Sequence, residues 1–329
     1  MNTIHRRGIL AGGAAFGLGA ALARPAAAQG EAWPARPVRI VVPFTPGGAS
    51  DIFARLVSQK LGPEFGQPFV VENRPGAAAN LGADYVARAA PDAYTLLLLS
   101  TVHAINPSLY RNLGYDPVRS FAPVSMIAAT AQVIVVHPSL PVRSLPELIA
   151  HARANPDRLN YSTVGAGSQP HLATALFCSR TGIRMTHVPY RGAAEAMTAI
   201  LANEVAVTFA TSPSAVPHVR AGALRALAVT SAHRIAALPD VPTAAEAGVP
   251  DFEVLGWNGL VAPAGAPEPL LTRLNAAVVK LMGEDGLRRT VLDQGAEPWT
   301  TTPREFGAYI EAERNRWAEV VRAAGVSLD

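Results

Sequence analysis

Residues 38–61 read VRIVVPFTPGGASDIFARLVSQKL. Val38 to Val42 is a run of β-branched residues broken only by Arg39, the composition of a buried strand. Pro43-Phe44-Thr45-Pro46-Gly47-Gly48 cannot continue a strand and reads as a loop. Beyond it Ile52, Phe53, Leu56, Val57 and Leu61 recur at helical spacing. A strand that enters a Gly-rich loop and then a helix opens a β-α-β unit. Phe69 to Glu72 and Thr95 to Leu99 repeat the strand signal, with Leu81 to Ala89 as the helix between them.

A second block follows the Pro-containing stretch from Val118 to Ser125. Gln132 to Val136, Asn160 to Thr163, Val205 to Phe209 and Leu224 to Val229 are expected strands. Leu145 to Asn155, Leu172 to Thr181, Ala193 to Leu201 and Ser214 to Arg220 are expected helices. After Pro239, Pro242 and Pro250 comes a further strand, Leu255 to Val261. Two amphipathic helices follow, one carrying Leu270, Leu274, Val278 and Leu281, the other Phe306, Ile310, Trp317 and Val321. Having no sheet of their own, they are expected to return to the first block. The whole predicts an α/β fold with parallel sheet and helices on both faces. The expected division is 1–28 as a signal peptide, 29–130 with 250–329 as lobe I, and 131–249 as lobe II. A cleft between such lobes, at the carboxyl ends of the strands, is where ligands bind.

Residues 1–28 begin with a basic segment, continue with an apolar run from Gly8 to Ala23 and end on small residues, with Ala26 and Ala28 in an A-x-A pattern. Arg6-Arg7 before Gly8 resembles a twin-arginine signal, with an ordinary secretory signal as the alternative. The reading is export, cleavage near Ala28 and a periplasmic protein. Without Arg6, Arg7 and Arg24 the 28 basic residues fall to 25, equal to the 25 acidic ones. A neutral mature chain gives no source for the phosphate attraction that drives nucleic-acid binding. One cysteine, Cys178, excludes an internal disulfide, a CxxC redox pair and a thiolate zinc cluster. No metal or cofactor is expected.

Gly47-Gly48 before a helix suits an anion, through free N–H groups at a positive helix end. The same glycines also fit a tight turn, with Ser50 or Asp51 capping the helix. The loop has no Lys and no P-loop spacing. Gly165-Ala166-Gly167-Ser168-Gln169-Pro170-His171 is the matching loop of the second block. Pro170 stands where a dinucleotide fingerprint needs glycine, and Ala166 and Pro170 flank Ser168 where a nucleophile elbow needs glycines. Ser168 reads as a helix cap or as a hydroxyl donor to a ligand.

Taken together and in order, WPARPVRIVVPFTPGGASD, VVENRPGAAANLGADYVARAAPDAYTLLL, HVPYRGAAEAM, LRALAVTSAHRIAALPDVPTAAEAG and WNGLVAPAGAP closely resemble one family. It is the periplasmic substrate-binding proteins of tripartite tricarboxylate transporters, the Bug-type extracytoplasmic solute receptors. The resemblance runs from about Trp33 to the C-terminus. It implies a two-lobed, type II periplasmic binding protein, a Venus flytrap hinged on two crossing strands. It implies capture of a small organic anion, a carboxylate, and delivery to the transporter's membrane subunits. A sensor that presents its closed form to a sensor kinase is the alternative, and an exported α/β hydrolase a remoter one.

In that family two loops from opposite lobes grip the carboxylate. The matching positions are Phe44, Thr45, Gly47, Gly48, Ala49 and Asp51 on the first lobe, and Ser162, Gly165, Gly167, Ser168 and His171 on the second. The resemblance casts Gly47, Gly48 and Ala49 as N–H donors, Asp51 as loop organiser or water holder, and Ser162, Gly167 and Ser168 as facing donors. Thr101, His103 and Asn106 would line the ligand's far end. Thr45, Ala93, Ala199 and Ala206 depart from the family's usual Pro, Gly, Asp and Asp, the last two weakening any acidic role in lobe II.

Overall fold

The computed structural model describes residues 33–324. β1 (Val38–Val42) passes through the Pro43 to Gly48 loop into α1 (Ala49–Phe65). β2 (Phe69–Asn73), α2 (Asn80–Ala87), β3 (Thr95–Ser100) and the short α3 (Thr101–Ile105) follow. β1 runs parallel between β2 and β3. Val38, Ile40 and Val42 pack with Phe53, Val57 and Leu61 of α1, while Val41 joins Ala83 and Val86 of α2 on the other face. Both faces are covered, which is why the strand is a near-continuous apolar run.

The second block comprises β4 (Phe121–Val136), α4 (Leu145–Ala154), β5 (Asn160–Thr163), α5 (Gln169–Thr181) and β6 (Thr186–Pro189). It continues with α6 (Ala193–Leu201), β7 (Val207–Thr211), α7 (Ser212–Arg220) and β8 (Arg225–Val229). Here β5 lies parallel between β6 and β7. The chain then returns through β9 (Leu255–Pro263) to α8 (Glu268–Gly283), α9 (Asp285–Asp293), β10 (Ala296–Pro298) and α10 (Pro303–Ala324).

The sheet is mixed where a parallel one was expected. Its order is β2-β1-β3-β9-β4-β7-β5-β6, and every ladder made by β4 or β9 is antiparallel. The reason is that these two strands carry the chain between blocks without a helical crossover. β4 is 16 residues long, not the short Gln132–Val136 segment expected. Up to Ala131 it pairs with β9, and from Gln132 it pairs with β7 and β8, so the switch between blocks falls at Ala131-Gln132. Pro123 is tolerated because the β4–β9 register shifts between Pro123 and Ser125.

The C-terminal region holds three helices and a short strand, where two helices were expected, and β10 pairs with β4. α8 packs on α1 and β4, as a return to the first block requires. α10 likewise returns to the first block, packing on α3 and β4, and also touches α5 of the second block. Its Phe306 lies so close over Gly259 that an added Cβ there would stand 2.2 Å from the ring. Glu313 of the same helix accepts from Trp257 Nε1 at 2.9 Å and from Trp317 Nε1 at 3.1 Å. Trp257, Phe306 and Trp317 are fully buried, each contributing roughly 1.5–3 kcal/mol by burial. α10 is thereby fastened beneath the crossing strand β9. No helix among the described residues is long and apolar enough to cross a membrane.

Candidate functional site

A cleft of about 750 Å³ lies between the two blocks, floored by Thr130 of β4 and by Gly256, Trp257 and Asn258 of β9. Six helices begin at its wall among the described residues, and the short α3, whose N-cap Ser100 forms a capping box with His103, stands apart from the other five. Their N-caps are Gly48 (α1), Ala79 (α2), Ser168 (α5), Gly192 (α6) and Thr211 (α7), every one a lining residue and none capped by a side-chain hydrogen bond. The first N–H groups of a helix have no partner within it, and each such end carries about half a positive charge. Arg191 is the one charged side chain among the described residues that line the cleft. The arrangement therefore attracts an anion with backbone dipoles and hydroxyls, and with one guanidinium at the rim.

The loops that build it are locally held. In the first, Asp51 accepts from the Gly47 N–H at 3.1 Å and from Asn73 Nδ2 at 2.9 Å, and pairs with Arg55 at 2.9 Å. Burial pulls the Asp51 carboxyl up, but the hydrogen bonds from Arg55, Asn73 and Gly47 outweigh it and hold the pKa below the ordinary value. In the second, the Gly167 N–H donates to His171 Nδ1 at 3.1 Å and Ser168 Oγ donates to the Gly165 carbonyl at 2.6 Å. His171 stacks on His187 at 4.1 Å between ring centroids, and Thr163 Oγ1 lies 2.7 Å from His187 Nε2. Burial lowers the His171 pKa, and burial with the charge of His171 lowers that of His187 to about 4.

Of the residues singled out from sequence, Phe44, Thr45, Gly48, Ala49, Thr101, Gly165 and Ser168 line the cleft. The others stand behind it, and several expected roles change accordingly. Gly47 and Gly167 spend their N–H groups on Asp51 and His171. Ser162 is fully buried and its hydroxyl donates to the Ala196 carbonyl. His171 faces His187, and its Nδ1 is engaged with Gly167 rather than with Ser168. His103, within α3, is fully buried, its Nδ1 accepting from the Ser100 N–H, and burial pushes its pKa down to about 4.

Asn106 donates to the Ala78 carbonyl at 2.9 Å and to Asn80 Oδ1. That contact has a purpose, because Ala77, Ala78 and Ala79 all lie in the left-handed region, with φ of 47°, 51° and 73°. Such a conformation costs about 1–2 kcal/mol per non-glycine residue, and Asn106 helps to hold it at the cleft wall. Thr101 lines the cleft while its oxygen accepts from the Trp257 N–H at 2.9 Å.

The structure also brings in residues not singled out as site residues. Ser50 Oγ donates to Asn258 Oδ1 at 2.6 Å, tying α1 to β9. Tyr190, Arg191 and Gly192 form a third strand-to-helix loop, and Gln169 lies on the floor. The string PYRG before an apolar helix was the available signal for the third loop. Across the cleft mouth Thr45 packs on Gly192, and a Cβ on Gly48 would sit 3.6 Å from Ala193 Cβ. The rim is thus in contact from both sides.

A family model described as tripartite tricarboxylate transporter family receptor matches residues 53–326. The chain is 38% identical over 311 residues to protein BugT of Bordetella pertussis, covering 94% of this chain and 95% of BugT. Among solved structures, R. palustris Rpa4515 with adipate superposes with a TM-score of 0.87 at 41% identity, over 90% of this chain and 100% of that one. MatC (Rpa3494) from Rhodopseudomonas palustris, with bound malate, gives a TM-score of 0.81 at 33% identity, over 88% and 99% of the two chains. With matching family model, relatives and two-lobed architecture, the chain belongs to the tripartite tricarboxylate transporter receptor family, whose members are periplasmic solute-binding receptors.

Proposed function

We propose that this protein captures a small organic acid as its carboxylate between its two lobes and hands it to the membrane subunits of a tripartite transporter. The observation that carries this reading is the convergence of five helix N-termini on a cleft where Arg191 is the one charged side chain among the described lining residues. Adipate and malate in the cited neighbours support it. In this reading residues 29–130 with 250–329 form one lobe, 131–249 form the other, and lobe closure selects the ligand. The export signal read in residues 1–28 lies outside the described residues and would place the mature chain in the periplasm. We read the protein as a receptor without catalysis, because no His, Cys, Lys, Asp or Glu is among the described lining residues, and the lining hydroxyls of Thr163 and Ser100 meet only His187 and His103, which burial makes weak bases with pKa values of about 4. The family's receptor description favours transport over presentation to a sensor kinase.

The test is a thermal-shift and calorimetry screen of the purified protein against mono-, di- and tricarboxylates and their uncharged amides. An acid present at a hundred times its Kd should add about 2.7 kcal/mol of stability, with its amide inert. Amides that stabilise while every acid fails would remove the carboxylate from the reading.

A further inference from the structure

We propose that the acid taken by this cleft has a ring-sized apolar body, making it an aromatic or alicyclic carboxylate rather than a short polar di- or tricarboxylate. The proposal rests on the carboxylate reading above and adds the class of body that the carboxylate carries.

The first ground is size with the rim in contact. Thr45 already packs on Gly192, and Gly48 faces Ala193 across the mouth, yet about 750 Å³ remains inside. That lies within the roughly 300–1,000 Å³ of pockets that take drug-sized ligands, and malate fills little of it. With the rim already in contact at these points, ligand or water must occupy the remainder, and apolar walls favour the ligand.

The second ground is the wall itself. Beyond the helix N-caps the cleft is lined by Tyr110, Val164, Met197 and Pro75, together with Val102 in the first turn of α3. Val102 is 7% exposed but belongs to none of the three hydrophobic core clusters, so its apolar surface serves the cleft. The third ground is charge. A tricarboxylate would bring several negative charges, for which the described lining offers one charged side chain, Arg191, the remaining donors being helix ends and neutral hydroxyls and amides. A charge set against the apolar wall without a partner is strongly unfavourable. One carboxylate at the helix ends, an apolar body along the wall and at most one further oxygen at Arg191 match what is there.

The experiment is calorimetry of the purified protein with benzoate, phenylacetate and cyclohexanecarboxylate against malate, citrate and adipate. A ring acid is expected to bind at least about tenfold tighter than any of the three open-chain acids. In Val102→Phe, which narrows the apolar wall, that ring acid should weaken by at least about tenfold while the short acids change by less than about twofold. Tightest binding of malate, citrate or adipate would overturn the apolar-body proposal and leave the carboxylate reading intact. Failure of all six acids would overturn both. Should Val102→Phe lose its folded circular dichroism spectrum, the wild-type ranking alone decides.

Discussion

Thr45 and Gly192 interlock across the cleft mouth: a Cβ built on Gly192 would stand 2.1 Å from Thr45 Oγ1 and 3.2 Å from Thr45 Cβ. Gly192 has φ −178°, an extended conformation open to any residue. The glycine is therefore required by the contact and not by the backbone. Gly192 caps α6 and Thr45 precedes the cap of α1, so this contact brings two positive helix ends to the same side of the cleft.

Gly192→Val should fold normally and fail to close. The expected result is a melting temperature in the absence of ligand close to that of the wild type, with acid affinity reduced at least about tenfold. Small-angle scattering should show no compaction when ligand is added. Gly48 gives a graded companion, because its Cβ position is an ordinary contact distance from Ala193, 3.6 Å. Gly48→Ala should stay within about threefold of wild-type affinity, while Gly48→Val should lose binding with little loss of stability. Wild-type affinity in both valine variants would mean that these contacts are not the ligand-bound closure.

Gln169 should report directly on the ligand. It is the first residue of α5, is 8% exposed and lines the cleft. Its Nε2 has no hydrogen-bond partner among the described residues, and a Cβ on Gly256 would sit 2.9 Å from its Oε1. An unsatisfied buried amide costs about 1–3 kcal/mol, which a ligand oxygen accepting from it would recover. Gln169→Leu should therefore weaken acid binding by about 5- to 100-fold and leave the protein without ligand as stable or slightly more so. Gln169→Glu, which adds a negative charge beside the anion, should abolish binding. Equal affinities for wild type and the leucine variant would remove Gln169 from the ligand's contacts.

The first block was legible because β1 is buried on both faces and its loop is punctuated by Pro43, Pro46, Gly47 and Gly48. β4 was half hidden, since Pro123 reads as a break until a register shift accommodates it. β6 is a four-residue strand at the sheet edge with no buried residue, so it lacks the apolar signal that would have drawn attention to the Tyr190–Gly192 loop. The left-handed run Ala77 to Ala79 is invisible in sequence because alanine does not announce that conformation. Gly47 and Gly167 show the limit of reading donors from glycine. Each N–H is taken by a side chain four residues ahead, Asp51 and His171, an allocation that depends on rotamers and not on spacing alone.

The stacked pair His171 and His187 should make both stability and binding fall in mild acid. In the fold both imidazoles are held neutral, His187 down to about 4 by burial and by His171, and His171 lowered by burial. Buried His103, also near 4, acts in the same direction. The unfolded chain takes up these protons near the ordinary histidine value of about 6.5. It binds more protons than the native state between there and about 4, so stability is full above about pH 6.5 and declines as pH falls through that window. The Asp51 carboxylate, whose pKa is lowered, gives its stabilisation up only below its ordinary value of 3.8, which separates the two effects. Wherever native His171 itself takes up a proton, below its ordinary value, it can no longer accept from the Gly167 N–H, so the second loop loosens and acid affinity drops with stability. His187→Gln keeps a hydrogen-bonding group beside Thr163 and removes one titrating imidazole. Urea unfolding from about pH 7.5 to about pH 4.5 should give a shallower decline for this variant than for the wild type, with His103 and His171 supplying what remains. Parallel declines in the two proteins would exclude His187 as a source of the acid sensitivity.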